Sequence, residues 1–383
     1  MDFVCLKDDL VFGVRLASYA LGTRSSMPIL AGLKMEIAGN RLRLQATDLE
    51  RAVRCEIPIE NAGGDEAAVL NGSVFNQIAS HLPADEKISL KSESEDGTTV
   101  KVSCGEVSFD LPTLPIEDFP EIAPLPKTKI ASVKAAQLHR GFEQTAFAAL
   151  KAGETTRLNL TGVDLVLKGE HLKMVATNGY RLAVKTIDVD ESHEEGEYLI
   201  EASVLANLDR VLSQVGAPTV DLYRGEGQLF FQTGDVTFMA KTIADEFPNF
   251  ERVIPQDNPI SLALDRRAIL EALQRIEITA AEDSGAITIH ASADESAIRI
   301  TSSSKDKGRA AERVRLKKVP TEALDISFRG EYIVDALKRL DSEEIAVWLA
   351  APEKAGLIEP SGEKIAEGDH GFLYVCSPIR LSS

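Results

Sequence analysis

The segment RLRLQATDLERAV, Arg41 to Val53, returns as HLKMVATNGYRLAV, His171 to Val184, and carries Thr47 onto Thr177, 130 residues further on. A fainter copy, AIRITSSSKDKGRA, starts at Ala297. Helix-like runs recur at a similar step. LKDDLVFGVRLA from Leu6, VKAAQLHRGFEQ from Val133 and LDRRAILEALQRI from Leu264 space their apolar residues for one helical face: Leu10, Val14, Ala17; Leu138, Phe142; Ile269, Leu273, Ile276. A second helix per copy is predicted at GSVFNQIASHL, ASVLANLDRVL and GEYIVDALKRL, with Ser73 and Ser203 as N-caps. Between the helices, Leu33, Met35, Ile37 and Leu42, Leu44, Ala46 alternate with the period of half-buried strands.

At 383 residues the chain exceeds what one hydrophobic core supports, and three domains fit the period. Two proline-rich stretches, Leu111–Pro126 and Asp245–Pro259, match at Phe119-Pro120 and Phe247-Pro248, and read as linkers closing the first two copies. The expected fold is α+β, three repeated domains over 1–126, 127–256 and 257–383, each with two helices packed on antiparallel sheets.

Composition narrows function. With 44% hydrophobic and 27% charged residues the chain belongs with folded globular proteins. No apolar run is long enough to span a bilayer, and MDFVCLKDDL lacks the basic and apolar regions of a signal peptide, so a cytoplasmic protein with no membrane partner is expected. Cys5, Cys55, Cys104 and Cys376 lie far apart and read as buried free thiols. The six histidines form no ligand-like pair, and no phosphate-binding, dinucleotide, zinc-protease or nucleophile-elbow motif occurs. The acidic run DVDESHEEGE has His193 where a calcium loop needs glycine, and reads as a solvated connection. Neither metal nor cofactor is expected, and weight shifts to a binding protein. A net charge of −18 argues against polyanions, yet the six helical segments sum to +1, so the negative charge resides in strands and loops.

MPILAGLKMEI with ATDLE, then LPIEDFP, ATNGYRLAV, FPNFERVIP and the terminal YVCSPIRL, in order from Met27 to Leu381, resemble the bacterial DNA sliding clamp, the beta subunit of the replicative polymerase. The resemblance implies a head-to-tail homodimeric ring around duplex DNA, helices lining the hole and sheets outside. Encirclement would then replace strong phosphate binding, which accommodates the acidic charge. It also implies a groove near the C-terminus that captures short apolar peptides of the replicative polymerase, the clamp loader and repair or translesion polymerases.

The matching groove positions are Leu160, Thr177, Tyr180, Arg181 and Leu182, Pro248, Arg252 and Val253, and Val375, Cys376, Ser377, Pro378, Ile379, Arg380 and Leu381. In that reading the edge of the terminal strand is part of the docking surface, and Arg181, Arg252 and Arg380 orient the peptide. Asn178 and Tyr180 stand where the family commonly has an acidic residue and histidine, and Cys376-Ser377 where larger apolar residues are frequent. For DNA, the implied contacts are Arg24 and Arg157, then Lys134, Arg140, Arg210, Arg266 and Lys338; for the subunit junction, Phe109 and Leu111 facing Ile278. Two alternatives stay open: an enzyme using Asp48 or Asp188 at a domain junction, and a monomeric three-repeat scaffold.

Overall fold

The computed structural model describes residues 1–22, 27–63, 67–84, 86–92 and 98–380. Arg24 and Leu381 lie outside the described residues.

The element order repeats three times, the third copy with four strands between its helices where the first two have five. The first copy runs β1 (Asp2–Leu6), α1 (Lys7–Ser18), β2 (Gly32–Ala38), β3 (Arg41–Thr47), β4 (Arg51–Pro58), β5 (Glu60–Gly63), β6 (Ala67–Asn71), α2 (Gly72–His81), β7 (Lys87–Ser92), β8 (Thr99–Cys104) and β9 (Val107–Leu114). The second runs β10 (Lys129–Lys134), α3 (Ala135–Thr145), β11 (Gly162–Lys168), β12 (His171–Thr177), β13 (Arg181–Asp188), β14 (Glu191–Ser192), β15 (Gly196–Glu201), α4 (Ala202–Val215), β16 (Thr219–Gly225), β17 (Gln228–Thr233) and β18 (Val236–Lys241). The third runs β19 (Ile260–Asp265), α5 (Arg266–Ile276), β20 (Ala286–Ala291), β21 (Ala297–Ser304), β22 (Gly308–Arg315), β23 (Leu324–Arg329), α6 (Gly330–Leu337), β24 (Glu344–Leu349), β25 (Gly356–Ser361) and β26 (Phe372–Cys376).

Contacts divide the chain into two compact units that cut through the second copy. One holds 1–135, 190–194 and 203–242; the other holds 136–189, 195–202 and 243–383. The cause is sheet continuation. In the first unit β18 pairs with β4, Val236 opposite Cys55, within a fourteen-stranded sheet ordered β14-β10-β16-β17-β18-β4-β3-β2-β6-β9-β8-β7-β1-β5. In the second, β13 pairs with β26 within an eight-stranded sheet, β15-β11-β12-β13-β26-β25-β24-β19, beside a four-stranded sheet β22-β21-β20-β23. All ladders are antiparallel, so one face of each strand is free to turn inward.

The helices bury the faces their periodicity predicts: Leu10, Val14 and Ala17 in α1, Leu138 and Phe142 in α3, Ile269, Leu273 and Ile276 in α5. Gly13 lets α1 sit close on its sheet, since a Cβ there would lie 2.5 Å from Leu44 Cδ1. The caps differ from expectation. Asn71, not Ser73, caps α2 by accepting from the Val74 amide at 3.1 Å, and Ser203 lies inside α4 rather than ahead of it. Residues Leu111–Leu114 belong to β9 and not to a linker; Pro112 is tolerated there because β6 pairs only with Thr113 and Leu114. The acidic connection contributes β14, an edge strand on β10, with Glu191 on Lys129 Nζ at 2.6 Å. All four cysteines are free and buried.

The strongest sequence repeat is a repeated turn. Thr47 Oγ1 donates to the Arg51 carbonyl and accepts from the Leu49 amide, while Asp48 Oδ1 accepts from the amides of Glu50 and Arg51. Thr177, Gly179, Asn178, Tyr180 and Arg181 make the same four bonds. The third turn residue needs positive φ, 89° at Gly179 and 76° at Leu49, where a leucine is strained.

Candidate partner-binding groove

The second unit carries an apolar sheet face. Leu182 lies opposite Val375, Val184 opposite Val175, and Leu357 opposite Val375, so β12, β13, β26 and β25 present one continuous patch. Val175, Leu182, Val184 and Val375 are buried, and Phe247, Phe250 and Ile254 of the segment after β18 pack on them. That segment is held by Asn159 Nδ2 on the Glu246 carbonyl at 2.9 Å and by Asn258 Nδ2, which donates to the Trp348 and Ala355 carbonyls. Its two rings meet edge to face, centroids 6.3 Å apart.

Two adjoining cavities open along this face and share Val253, Ala355 and Ser377. The first, about 240 Å³, is lined by Leu160, Thr177, Tyr180, Arg181, Leu182, Pro248, Val253, Val375 and Ser377. The second, about 590 Å³, adds Arg252, Pro378 and Arg380, with both guanidinium-bearing residues exposed. Tyr180 is 66% exposed and Val253 55% exposed, large apolar surfaces left in water at the rim. Gly179, Asn249, Phe250, Ala355 and Asn258 also line the cavities and were not foreseen. Their only sequence signal was the pair of phenylalanines in a proline-rich segment.

Several expected roles change. β26 is paired on both sides, by β13 and β25, so its edge is not available for docking; the groove uses its face and its end. Cys376 is buried, and Ile379, anchored by its amide to the Ser327 carbonyl at 2.7 Å, lines neither cavity. The Arg181 guanidinium is buried against α6: it pairs with Asp335 at 2.8 Å and lies over the Tyr332 ring at 4.5 Å and the Phe147 ring at 5.3 Å. Asn178 Nδ2 reaches the Tyr332 hydroxyl at 3.2 Å, so this turn is clamped to α6 and Arg181 holds the groove wall instead of facing a ligand.

The basic residues implied for DNA divide in the same way. Lys134, Arg210 and Lys338 are exposed. Arg140 is engaged with Asp369 at 2.7 Å, Glu143 at 2.6 Å and Asp341 at 2.8 Å, and Arg266 donates to the carbonyls of Ser342 and Leu337. Arg157 is exposed and stands at the first cavity of the groove. Asp369 is the centre of a buried network: it accepts also from Gln144 Nε2, from the amides of Asp341 and Ser342, and from Ser342 Oγ. Burial pushes its carboxyl up, but the Ser342 and Arg140 bonds outweigh this and hold it below the usual range. Asp48 is occupied in its turn and by Arg51 at 3.0 Å; Asp188 is exposed and faces His171 at 3.2 Å. Among the described residues no group of three or more side chains gathers to hold a metal, and no helix is long and apolar enough to cross a membrane.

Models of the DNA polymerase III beta subunit match the chain in order, the N-terminal domain over residues 1–123, the central domain over 132–249 and the C-terminal domain over 251–370. The chain belongs to the bacterial DNA sliding clamp family. The beta sliding clamp of Synechococcus elongatus is 28% identical with all of both chains covered. The Thermotoga maritima beta subunit superposes with a TM-score of 0.89 at 29% identity, and a Pseudomonas aeruginosa sliding clamp bound to griselimycin with 0.90 at 25%, each over all of both chains. The threefold α+β architecture is therefore that of the sliding clamps, and the chain's work is that of a DNA sliding clamp, a polymerase processivity factor in replication.

Proposed function

We propose that the chain acts without catalysis of its own, as a cytoplasmic head-to-tail homodimeric ring on duplex DNA. The paired cavities capture apolar peptide segments of the replicative polymerase, the clamp loader and repair or translesion polymerases. The observation that carries this reading is the groove itself: nine of the residues expected there line one cavity of about 240 Å³, continuous at Val253 and Ser377 with a second that carries Arg252 and Arg380. Tethering works by effective concentration, because a polymerase that lets go of the primer end stays beside it and rebinds. The Pseudomonas aeruginosa clamp bound to griselimycin supports a ligand-binding role for this chain also. We keep the domain bounds at 1–126, 127–256 and 257–383.

Two unfinished edges support the ring. Among the described residues Val107–Pro112 of β9 has no partner strand on its β6 side, and β22 ends the four-stranded sheet. Arg309, Arg313 and Arg315 make the β22 edge basic, while Glu106 and Asp110 make the β9 edge acidic. Phe109 is exposed beside Asp110, and Ile278, 70% exposed, follows α5, which packs near β22. Pairing β9 of one subunit with β22 of the other would bury both edges and both apolar side chains. Arg157, Lys134, Arg210 and Lys338 remain the candidates for weak DNA contact, and Arg24, outside the described residues, is kept with them as a proposal. Arg140 and Arg266, held by internal partners, do not.

The test uses rim residues whose truncation costs the fold little. Replacing Tyr180 and Val253 with alanine is expected to weaken a polymerase-derived peptide by roughly tenfold each, while light scattering still reports a dimer and the loaded protein stays on circular but not linear DNA. Unchanged peptide affinity refutes the groove, and loss from circular DNA as fast as from linear DNA refutes the ring.

A further inference from the structure

The groove face is apolar at its centre, but one carboxyl is buried within it. Asp164 of β11 lies directly opposite Val175 of β12, two strands from Leu182 of β13 and on the same face. It is 1% exposed; its carboxyl shares a side-chain hydrogen bond with Glu197, but among the described residues its Oδ1 finds no partner. A carboxylate with an orphan oxygen weakens a fold where valine would strengthen it. Asp164 lines a further cavity of about 660 Å³, with Glu197 from β15 at its mouth and Phe247, Pro248 and Phe250 as one wall. Pro248 and Phe250 also line the first groove cavity, so one segment forms a wall of both. Three basic residues line the same cavity: Lys173 is engaged with Glu251 at 3.6 Å and lies over the Phe250 ring at 5.5 Å, His171 faces Asp188 at 3.2 Å, and Lys168 is exposed. Glu251, the third carboxyl lining the cavity, is paired with Lys173, and among the described residues no group of three side chains gathers to hold a metal.

A paired carboxyl site against aromatic walls suits a group with an aliphatic stem and a cationic head. We propose that this cavity receives the arginine or lysine side chain of a peptide docked in the adjoining groove, ion-paired to Asp164 and Glu197. The proposal rests on the peptide-groove reading above and specifies the chemistry of the peptide that groove prefers. The head group would satisfy the orphan oxygen, and its charge would replace the proton that burial, and then Glu197, hold on Asp164 by raising its carboxyl to about 7.

The experiment compares an apolar groove peptide carrying one arginine, placed at each flanking position in turn, with the same peptides carrying citrulline. Titration calorimetry is run on the intact protein, on Asp164→Asn and on Glu197→Gln. At one position arginine is expected to bind about tenfold tighter than citrulline, and both variants should abolish that preference while binding the citrulline peptide as the wild type does. Equal binding of arginine and citrulline peptides at every position overturns the cation site and leaves the groove standing. If no peptide binds, the groove reading fails and the cation site with it. Glu197→Gln, at the exposed mouth, keeps the comparison decisive should Asp164→Asn alter the fold.

Discussion

Asp164→Asn changes charge with almost no change in shape, so it isolates what the buried carboxyl does to stability. In the folded chain burial raises the carboxyl from 3.8 to about 7, with Glu197 adding to the rise. A group raised on folding holds its proton in the native state while the unfolded chain has lost it. Its favourable contribution is therefore complete below pH 3.8 and gone once the pH has risen through 7. A rise of that size sets a ceiling of about 4 kcal/mol, of which about 2.5 kcal/mol falls between pH 5 and 8. Asparagine does not titrate, so the variant should gain on the wild type by about that amount over the interval. The other charged groups lining the cavity, Lys168, His171, Lys173 and Glu251, are common to both proteins, while the interaction with Glu197 is part of what the substitution removes. Urea unfolding followed by the single tryptophan, Trp348, reports on the same sheet because β24 belongs to it. A stability difference that stays constant from pH 5 to 8, or one that turns against asparagine as the pH rises, refutes the reasoning.

Two further outcomes follow from the buried polar groups. Asp369→Ala leaves Arg140, Gln144 and Ser342 without their shared acceptor and should cost about 3–5 kcal/mol in the same unfolding assay; because its carboxyl is held low, the wild type should also lose more stability than the variant as the pH falls below about 4. Arg181→Met keeps the bulk but removes the Asp335 pair and the cation over Tyr332. It should lower stability by about 2–4 kcal/mol and weaken groove peptides only through movement of the wall, so stabilising the fold with osmolyte should restore much of the affinity.

How legible the fold was in the sequence depended on how local each determinant is. The six helices and their buried faces follow from spacing within four residues, and all six form. The ATDLER and ATNGYR echo was visible because the turn is closed by its own residues, Thr to Arg carbonyl and Asp or Asn to two amides. The α2 cap was misread by two residues, since Asn71 and Ser73 both have capping side chains and only the ladder of β6 decides which one ends the strand. Groove positions came from resemblance, not spacing. Phe250 and Ala355 joined them only when the segment after β18 folded over the sheet. Arg181 looked like a ligand-facing arginine because its partner Asp335 stands 154 residues away, beyond any pattern a sequence displays.

Contacts between residues so far apart in the chain also make the groove a durable structure instead of a loose cleft. Its turn is built by residues 177–181, but its wall is fixed by α6 through Tyr332 and Asp335, its floor by β26, and its roof by the segment bearing Phe247 and Phe250. Each of these comes from a different part of the second unit, so no single element can open without breaking contacts to the other three. Peptide affinity then draws on surface already arranged, with Tyr180 and Val253 exposed in the free protein and little ordering cost left for binding. Preorganisation of this kind is what a tether needs: partners exchange by leaving and arriving, while the receiving surface stays the same.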